Sequence, residues 1–319
     1  MKEIAVGIDI GGTNTKYGLV EKSGNILEQG SIPTVAEGNV SDFIKILKDE
    51  LSPVIEKHND FTVKGVGIGA PNANYYKGTI EYAPNIKWGE YVYFREAFNQ
   101  YFDYPMVLTN DANAAAIGEM VFGNAHGMSD FIVITLGTGL GSGIVVNGKL
   151  VYGHDGFAGE LGHVNVKPDG RLCGCGRRGC LETYVSATGI KRTIFKLMAE
   201  ETEASDLRNI PYDELTALMI TEAANKQDPL AIKAFEYTGK ILGEKLADTV
   251  VHTSPEAIFL FGGLVKAGDY LLKPTKKYME DFIFKMFKNK VKLLPSGLMD
   301  KNAAVLGASA LVWKEFGEH

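Results

Sequence analysis

The sequence has few cysteines, no excess of positive charge and no biased composition, and each shortage excludes a class of protein. Only three cysteines occur in 319 residues, so a disulfide would leave one thiol over, and the chain is long enough to bury a core without such staples. The 33 Lys and Arg residues are outnumbered by 39 Asp and Glu residues, so no overall basic field is present to hold nucleic acid. Apolar and charged contents of 45% and 23% exclude disorder, collagen-like repeats and coiled coils.

The sequence also lacks a membrane segment and a secretory signal. The one uncharged stretch of suitable length, residues 131–148, contains five glycines from Gly137 to Gly148. Each glycine inside a helix costs about 1 kcal/mol relative to alanine, so this stretch is a poor membrane span. Lys2 and Glu3 lead directly into an apolar strand with no cleavage site behind it, so a cytoplasmic protein is expected.

A pattern of strand, glycine turn and strand occurs twice. The first copy covers residues 4–20, with a turn at 11–15, and the second copy covers 132–146. Glycine lets the backbone approach a ligand closely, and successive N–H groups in such turns bind anions, so two facing turns suit one nucleotide polyphosphate. For either turn alone, the alternative is a tight hairpin. Asp9 interrupts an otherwise apolar strand and is a candidate for holding Mg²⁺ through water.

The dipeptide Asn110–Asp111 stands between a predicted strand at 105–108 and a predicted alanine-rich helix at 112–121. One interpretation is a helix N-cap, since Asp is favoured there. The other is a general base at the carboxyl end of a strand, where open α/β sheets place their ligands. The two interpretations are compatible with each other.

All three cysteines lie within eight positions and follow a histidine. His163, Cys173, Cys175 and Cys180 form a Cys₃His set that suits tetrahedral Zn²⁺. The alternative is chance clustering. Glu160 and Glu182 bracket this glycine-rich loop, and such polar groups suit hydrogen bonds to a polyol; the alternative is two surface carboxylates.

Two helices are predicted with specific features. Ser41 is a candidate cap for a helix that Pro53 would kink. The lysine-rich segment 273–292 is predicted to be an amphipathic helix with Phe282, Met286 and Phe287 facing inward.

Several of these motifs together resemble the ROK family of sugar kinases and repressors, most closely its bacterial glucokinases. The matching segments are residues 6–16, 110–113, 136–143, 159–163 with 173–182, and 261–263. They follow the family order from about residue 3 to residue 310. One departure is Asn72 in Gly69-Ala70-Pro71-Asn72, where the family commonly has glycine beside the sugar.

The resemblance implies an actin-like, ribonuclease H-like duplicated α/β fold with two domains and a central cleft. The small domain would be residues 1–118 completed by a C-terminal helix at 303–319. The large domain would be residues 119–302 and would carry the zinc loop. The two copies of the hairpin pattern agree with this fold independently.

The resemblance also implies an ATP-dependent kinase that phosphorylates the 6-hydroxyl of glucose, with Asp111 as general base and Mg²⁺ bound with ATP. The sugar-binding residues would be Asn85, Asn110, Asp111, Glu160, His163 and Glu182. The ATP-binding residues would be Asp9, Gly11, Gly12, Thr13, Lys16, Gly137, Thr138, Gly139, Gly262 and Gly263. One structural Zn²⁺ per chain would be held by His163, Cys173, Cys175 and Cys180.

Several alternatives stay open on the sequence. One alternative is that the acceptor is another hexose, such as fructose, mannose, N-acetylmannosamine or N-acetylglucosamine. Another alternative is that the donor is polyphosphate. A sugar-responsive repressor is disfavoured, because the first strand begins by residue 4 and leaves no room for a helix-turn-helix domain. The expected partners are sugar and ATP, without nucleic acid or membrane, and the family implies a homodimer or homotetramer.

Overall fold

The computed structural model of the protein describes residues 2–35, 38–299 and 301–317. In these residues the strands are β1 Lys2–Ile10, β2 Asn14–Glu21, β3 Ile26–Pro33, β4 Phe61–Gly69, β5 Ala73–Asn74, β6 Thr79–Glu81, β7 Tyr91–Val92, β8 Met106–Thr109, β9 Phe131–Leu136, β10 Leu140–Val146, β11 Lys149–Leu150, β12 Ala257–Phe261 and β13 Lys292–Pro295. The α-helices are α1 Val40–Lys57, α2 Phe94–Asn99, α3 Asp111–Phe122, α4 Ala187–Glu200, α5 Ala217–Asn225, α6 Pro229–Thr253, α7 Asp269–Phe282 and α8 Ala303–Phe316. None of these helices is long and apolar enough to cross a membrane.

The two copies of the sequence pattern build two sheets with the same strand order. One sheet has the order β3-β2-β1-β4-β8 and the other β11-β10-β9-β12-β13. In each, a glycine turn joins an antiparallel pair, β1 with β2 or β9 with β10. Strands β4 and β12 then pair in parallel with β1 and β9. The predicted duplicated α/β class is therefore confirmed.

By internal packing the chain forms two units. The first comprises Met1–Gly127, Leu150–Gly159 and Gly297–His319, and the second comprises Met128–Lys149 and Glu160–Ser296. The predicted domain boundaries at 118/119 and 302/303 stay a prediction.

Opposite faces of the first sheet pack differently. Apolar side chains of β1 and β4 form one core with α1 and α2. On the other face Gly7 and Gly67 replace side chains, and added Cβ atoms would lie only 2.3 and 1.9 Å from the carbonyl oxygens of Val305 and Ala308 in α8. The C-terminal helix α8 thus lies directly on the backbone of the strands that lead to Asp9 and Gly69.

The structure differs from the predictions at the start of α1 and in the lysine-rich segment 273–292. Asn39, and not Ser41, caps α1 by accepting a hydrogen bond from the backbone N–H of Asp42, and α1 continues through Pro53. Phe282 and Met286 do not face inward, because α7 ends at Phe282 and the helical spacing stops there; the two side chains are 59% and 56% exposed.

Candidate active site

Two carboxylates of the first unit meet at the carboxyl ends of parallel strands. The register aligns Asp9 of β1 with Gly69 of β4, and Gly69 with Thr109 of β8, two residues before Asp111. A Cβ atom added to Gly69 would lie 3.6 Å from both Asp9 Oδ1 and Asp111 Cα. The bare glycine therefore gives both acids room at one sheet edge. Sequence reasoning did not single out Gly69 as a site residue, although its place at the end of a buried strand was a signal.

The surroundings of the two acids favour their protonated forms. Burial raises the pKa of Asp9 to about 6; the nearby Asp111 charge adds to this rise and Lys16 opposes it. Desolvation also raises the pKa of Asp111, while the backbone N–H of Ala112 lowers it. Asp111 is nevertheless exposed to solvent. A paired, partly desolvated carboxylate of this kind suits proton transfer or cation binding.

Asn110 occupies the N-cap position of α3. Its side-chain carbonyl oxygen accepts a hydrogen bond from the N–H of Ala112 at 2.8 Å, and the same N–H also donates to Asp111 Oδ1 at 2.8 Å. The capping interpretation is therefore confirmed. Because the cap holds the start of α3, it also directs Asp111 at the sheet edge, and the amide NH₂ of Asn110 is the end that can donate to a ligand.

The first glycine turn lies against Asn85. The N–H of Gly11 donates to the carbonyl of Asn14 at 3.1 Å and closes the turn. A Cβ atom on Gly12 would approach the Cβ atom of Asn85 to 2.7 Å. Thr13 and Lys16 are exposed at and just after this turn. Asn85, chosen only by resemblance, is thus brought next to a predicted phosphate turn.

The second glycine turn lies against Glu182. The N–H of Gly137 donates to the carbonyl of Gly139 at 3.1 Å, and Gly137 and Thr138 are exposed. A Cβ atom on Gly139 would meet Glu182 Oε2 at 2.6 Å. A Cβ atom on Gly137 would meet no atom within 4 Å, so the outer part of this turn is open to a ligand.

The glycines that follow β12 lie behind the second turn. Gly262 has a φ of 114°, and a Cβ atom there would lie 2.5 Å from the carbonyl oxygen of Leu136, the residue before the turn. Gly263 begins a short 3₁₀ helix and has open space around its Cα. The structure therefore brings the predicted adenosine motif next to the predicted phosphate motif within one unit.

The predicted zinc ligands form one cluster. The ligand atoms of His163, Cys173, Cys175 and Cys180 all lie within 4.8 Å of one another. His163 Nδ1 is 3.7 Å from Cys173 Sγ, and Cys175 Sγ is 3.7 Å from Cys180 Sγ. Zn–S bonds of about 2.3 Å in a tetrahedron require sulfurs roughly 3.8 Å apart, so the donor set fits zinc.

Glu182 lies between this cluster and the second turn. Its Oε1 accepts a hydrogen bond from the Cys173 thiol at 2.9 Å and lies 3.8 Å from His163 Nδ1, while Oε2 faces Gly139. Glu160 directly precedes the 3₁₀ helix Leu161–His163 and is exposed. Because Nδ1 of His163 faces the cysteines, Nε2 is the ring nitrogen directed to other partners.

The chain is similar to known proteins over nearly its whole length. The ROK family model matches residues 5–315. A glucokinase of Halalkalibacterium halodurans is 36% identical over 284 residues, which are 87% of this chain and 85% of that one. A ROK family glucokinase from Streptomyces griseus, crystallised with glucose and AMPPNP, superposes with a TM-score of 0.80 at 34% identity and covers 97% of this chain and 98% of that one.

A regulator shares the fold as well. A ROK family transcriptional regulator, a homologue of the Escherichia coli Mlc protein, superposes with a TM-score of 0.88 at 25% identity and covers 98% of this chain and 78% of that one. The fold is therefore common to enzymes and regulators, and function must be argued from the site. The match over nearly the whole chain, with its actin-like fold, shows that the protein belongs to the ROK family.

Proposed function

We propose that the protein is an ATP-dependent hexose kinase that phosphorylates the 6-hydroxyl of glucose. The observation that supports this most is Asp111 at the start of α3, beside Asp9 and with its pKa raised by desolvation. A base works best when its pKa lies near the working pH, so the shift favours proton transfer. The chemistry also agrees with the glucokinase relatives.

In the proposed reaction, the 6-hydroxyl oxygen attacks the γ-phosphorus of ATP and its proton passes to a carboxylate oxygen of Asp111. The bond between the γ-phosphorus and the β–γ bridging oxygen breaks, and ADP leaves. Phosphoryl transfer of this kind depends mainly on positioning and charge stabilisation. Mg²⁺ bound with ATP would supply positive charge to the phosphates, and Asp9 is the carboxylate proposed to lie near it.

The acceptor would be held by five polar side chains. Asn85 and Asn110 of the first unit are proposed to bind hydroxyl groups, together with Glu160, His163 and Glu182 of the second. Neutral amides donate and accept, whereas carboxylates accept only, so this set can orient several hydroxyls of one sugar.

The donor would be held by the two glycine turns. Gly11, Gly12 and Thr13 with Lys16, and Gly137, Thr138 and Gly139, are proposed to contact the phosphates. Gly262 and Gly263 are proposed to contact the adenosine. The open space at Gly137 and Gly263 supports this assignment, because no side chain blocks the approach of a ligand there.

An ADP-release assay tests the function directly. The protein is offered ATP and Mg²⁺ with glucose, mannose, fructose, N-acetylglucosamine or N-acetylmannosamine, and polyphosphate replaces ATP in a parallel series. We expect the highest kcat/KM with glucose and ATP, and ³¹P NMR of the product should show a 6-phosphate ester. The proposal is refuted if no hexose supports ADP release, or if no hexose makes ADP release faster than in the control without sugar.

Four further proposals accompany the function. We propose one structural zinc per chain, which elemental analysis of the purified protein checks. We also propose a homodimer or homotetramer, which light scattering after size exclusion checks. The cytoplasmic location and the domain division at 118/119 and 302/303 stay proposals of the same standing.

A further inference from the structure

Asn72 makes a side-chain contact that a glycine at this position could not make. Its backbone has a φ of 51°, in the left-handed region that asparagine tolerates better than most residues. Its side-chain Nδ2 donates a hydrogen bond to the carbonyl of Tyr82 at 3.0 Å. Asn72 thus has a backbone conformation that glycine also adopts. Its side chain adds the hydrogen bond to the Tyr82 carbonyl, which we call the tether.

The tether closes the base of a small hairpin. The carbonyl of Asn72 accepts the N–H of Glu81 at 3.1 Å, while the side chain holds the next residue, Tyr82. Tyr82 also has a φ of 51°, which is costly for an aromatic residue, and its ring is 65% exposed. Since the exposed ring contributes little packing, backbone contacts must hold this conformation.

The tethered residue begins the loop that contains Asn85. The N–H of Tyr82 donates to the carbonyl of Glu90 at 2.7 Å, so residues 83–89 form a closed loop. At the other side of the loop, Trp88 Nε1 donates to the carbonyl of Val35 at 2.6 Å. Asn85 lies between these two anchors.

The far side of Asn85 faces Gly12. A Cβ atom on Gly12 would come within 2.7 Å of Asn85 Cβ and 3.3 Å of the Asn85 carbonyl oxygen, so this loop lies on the first turn without spare room. Ile86, the next residue, is 4% exposed. A small shift of the loop at Tyr82 would therefore change the direction in which the Asn85 amide points.

We propose that Asn72 is a positioning residue that fixes Asn85 through Tyr82 and thereby sets the choice among hexoses; this inference rests on the proposed kinase function. A rigidly placed amide separates epimers well, because a hydroxyl of the wrong configuration leaves polar groups unpaired. A looser amide adapts to several sugars and separates them less.

The test compares three variants. Asn72→Gly keeps the positive φ and removes only the tether, and Asn72→Asp keeps the shape but has no donor. Both should raise the KM for glucose about three- to tenfold, the scale of one hydrogen bond, and reduce the glucose-to-mannose ratio of kcat/KM. The kcat with glucose and the KM for ATP should stay within about twofold, since the hydrogen bonds of Asn72 run to Glu81 and Tyr82 and the tether acts through the loop that contains Asn85.

Tyr82→Asn is the matched control. It keeps the carbonyl that accepts the tether and a residue that tolerates the left-handed conformation, so its glucose KM should stay near the wild-type value. A rise as large as that of Asn72→Gly would assign the effect to the tyrosine ring and overturn the proposal. An unchanged glucose KM and sugar preference in Asn72→Gly would overturn it too.

Amide hydrogen exchange separates this inference from the kinase function. The amide of Tyr82 donates to the carbonyl of Glu90 across the loop, and the amide of Ile86 donates to the carbonyl of Ala83 within it. Both amides should exchange faster in Asn72→Gly than in Tyr82→Asn. If the wild type phosphorylates no hexose, the function fails and this readout still decides whether the tether orders the loop. Equal exchange rates in wild type and Asn72→Gly would contradict the role of the tether, whether or not the wild type phosphorylates a hexose.

Discussion

The two five-stranded sheets share one strand order but differ in the groups at the ends of their strands. In the first sheet, Asp9 is the penultimate residue of β1 and Asp111 lies two residues after β8. In the second, Thr135 takes the place of Asp9, and its hydroxyl accepts the N–H of Gly141 at 3.2 Å. Ser296 follows β13, where Asn110 follows β8. The two sheets thus share their glycine turns, but the second sheet has no acid at these two positions.

The second unit obtains its carboxylate in another way. Glu182 comes from the segment after the cysteines and reaches Gly139, whereas Asn85 reaches Gly12 in the first unit. Each glycine turn is therefore backed by one predicted sugar-binding residue, neutral in one unit and acidic in the other. If the proposed function holds, the repeated turns position phosphates, while the chemistry and the choice of substrate come from the residues that differ between the two sheets.

The sharpest test of the comparison is the loss of Asp111, the proposed base, which has no acidic counterpart at the matching position of the second sheet. Asp111→Asn is nearly isosteric but cannot take up the hydroxyl proton at neutral pH. We expect kcat to fall about 100-fold or more, the scale of general base catalysis, with glucose still bound. Steady-state kinetics with calorimetric glucose binding checks this. A variant with near wild-type kcat would remove Asp111 from the mechanism.

The next largest effect should follow loss of the proposed zinc site, whose four candidate ligands all lie in the second unit. Cys175→Ser, or complete removal of the metal, should raise the KM for sugar about tenfold or more and the KM for ATP far less, because His163 and Glu182 lie at the cluster. Proteolysis at Arg171, Arg177 or Arg178 should become faster. A folded protein verified as zinc-free with an unchanged sugar KM would reduce the metal to a loop staple.

Asp9 and Thr135 should differ in the pH dependence of stability. The pKa of Asp9 is raised to about 6 in the folded state, so the folded protein binds a proton more tightly than the unfolded chain. Its contribution to the free energy of unfolding is therefore lost as pH rises from about 4 to about 6. Asp9→Asn should be more stable than wild type by about 3 kcal/mol at pH 7, with no advantage near pH 4.

Thr135→Val is the control for this measurement. It removes a hydroxyl that accepts one hydrogen bond, and it should change the free energy of unfolding by an amount that does not vary between pH 4 and pH 7. Denaturant titrations at several pH values give both differences. A pH-independent difference for Asp9→Asn as well would show that the folded-state pKa of Asp9 is not raised.

The smallest expected effect distinguishes two glycines of one turn. Gly139→Ala places a Cβ atom where Glu182 Oε2 lies, so it should raise the KM for glucose several-fold as well as the KM for ATP. Gly137→Ala meets open space and should raise only the KM for ATP, and by less. Equal effects of both variants on glucose would mean that Glu182 moves aside without consequence.

Local sequence was sufficient for much of this molecule. The glycine turns, the strand-to-helix junction at Asn110 and the spacing of the three cysteines each depend on neighbouring residues, whose geometry follows from turn, cap and ligand chemistry. Where a local prediction was wrong, as for Phe282 and Met286, the helix ended earlier than the apolar spacing suggested.

Only the tertiary structure decided which distant residues meet. The contacts of Asn85 with Gly12, of Glu182 with Gly139 and of Asn72 with Tyr82, and the approach of Asp9 to Asp111, depend on strand register and loop closure. Sequence spacing sets geometry over a few residues, whereas these pairs are joined through the packing of whole elements. The motifs could therefore be identified from the amino-acid sequence, whereas the contacts among distant residues required the fold.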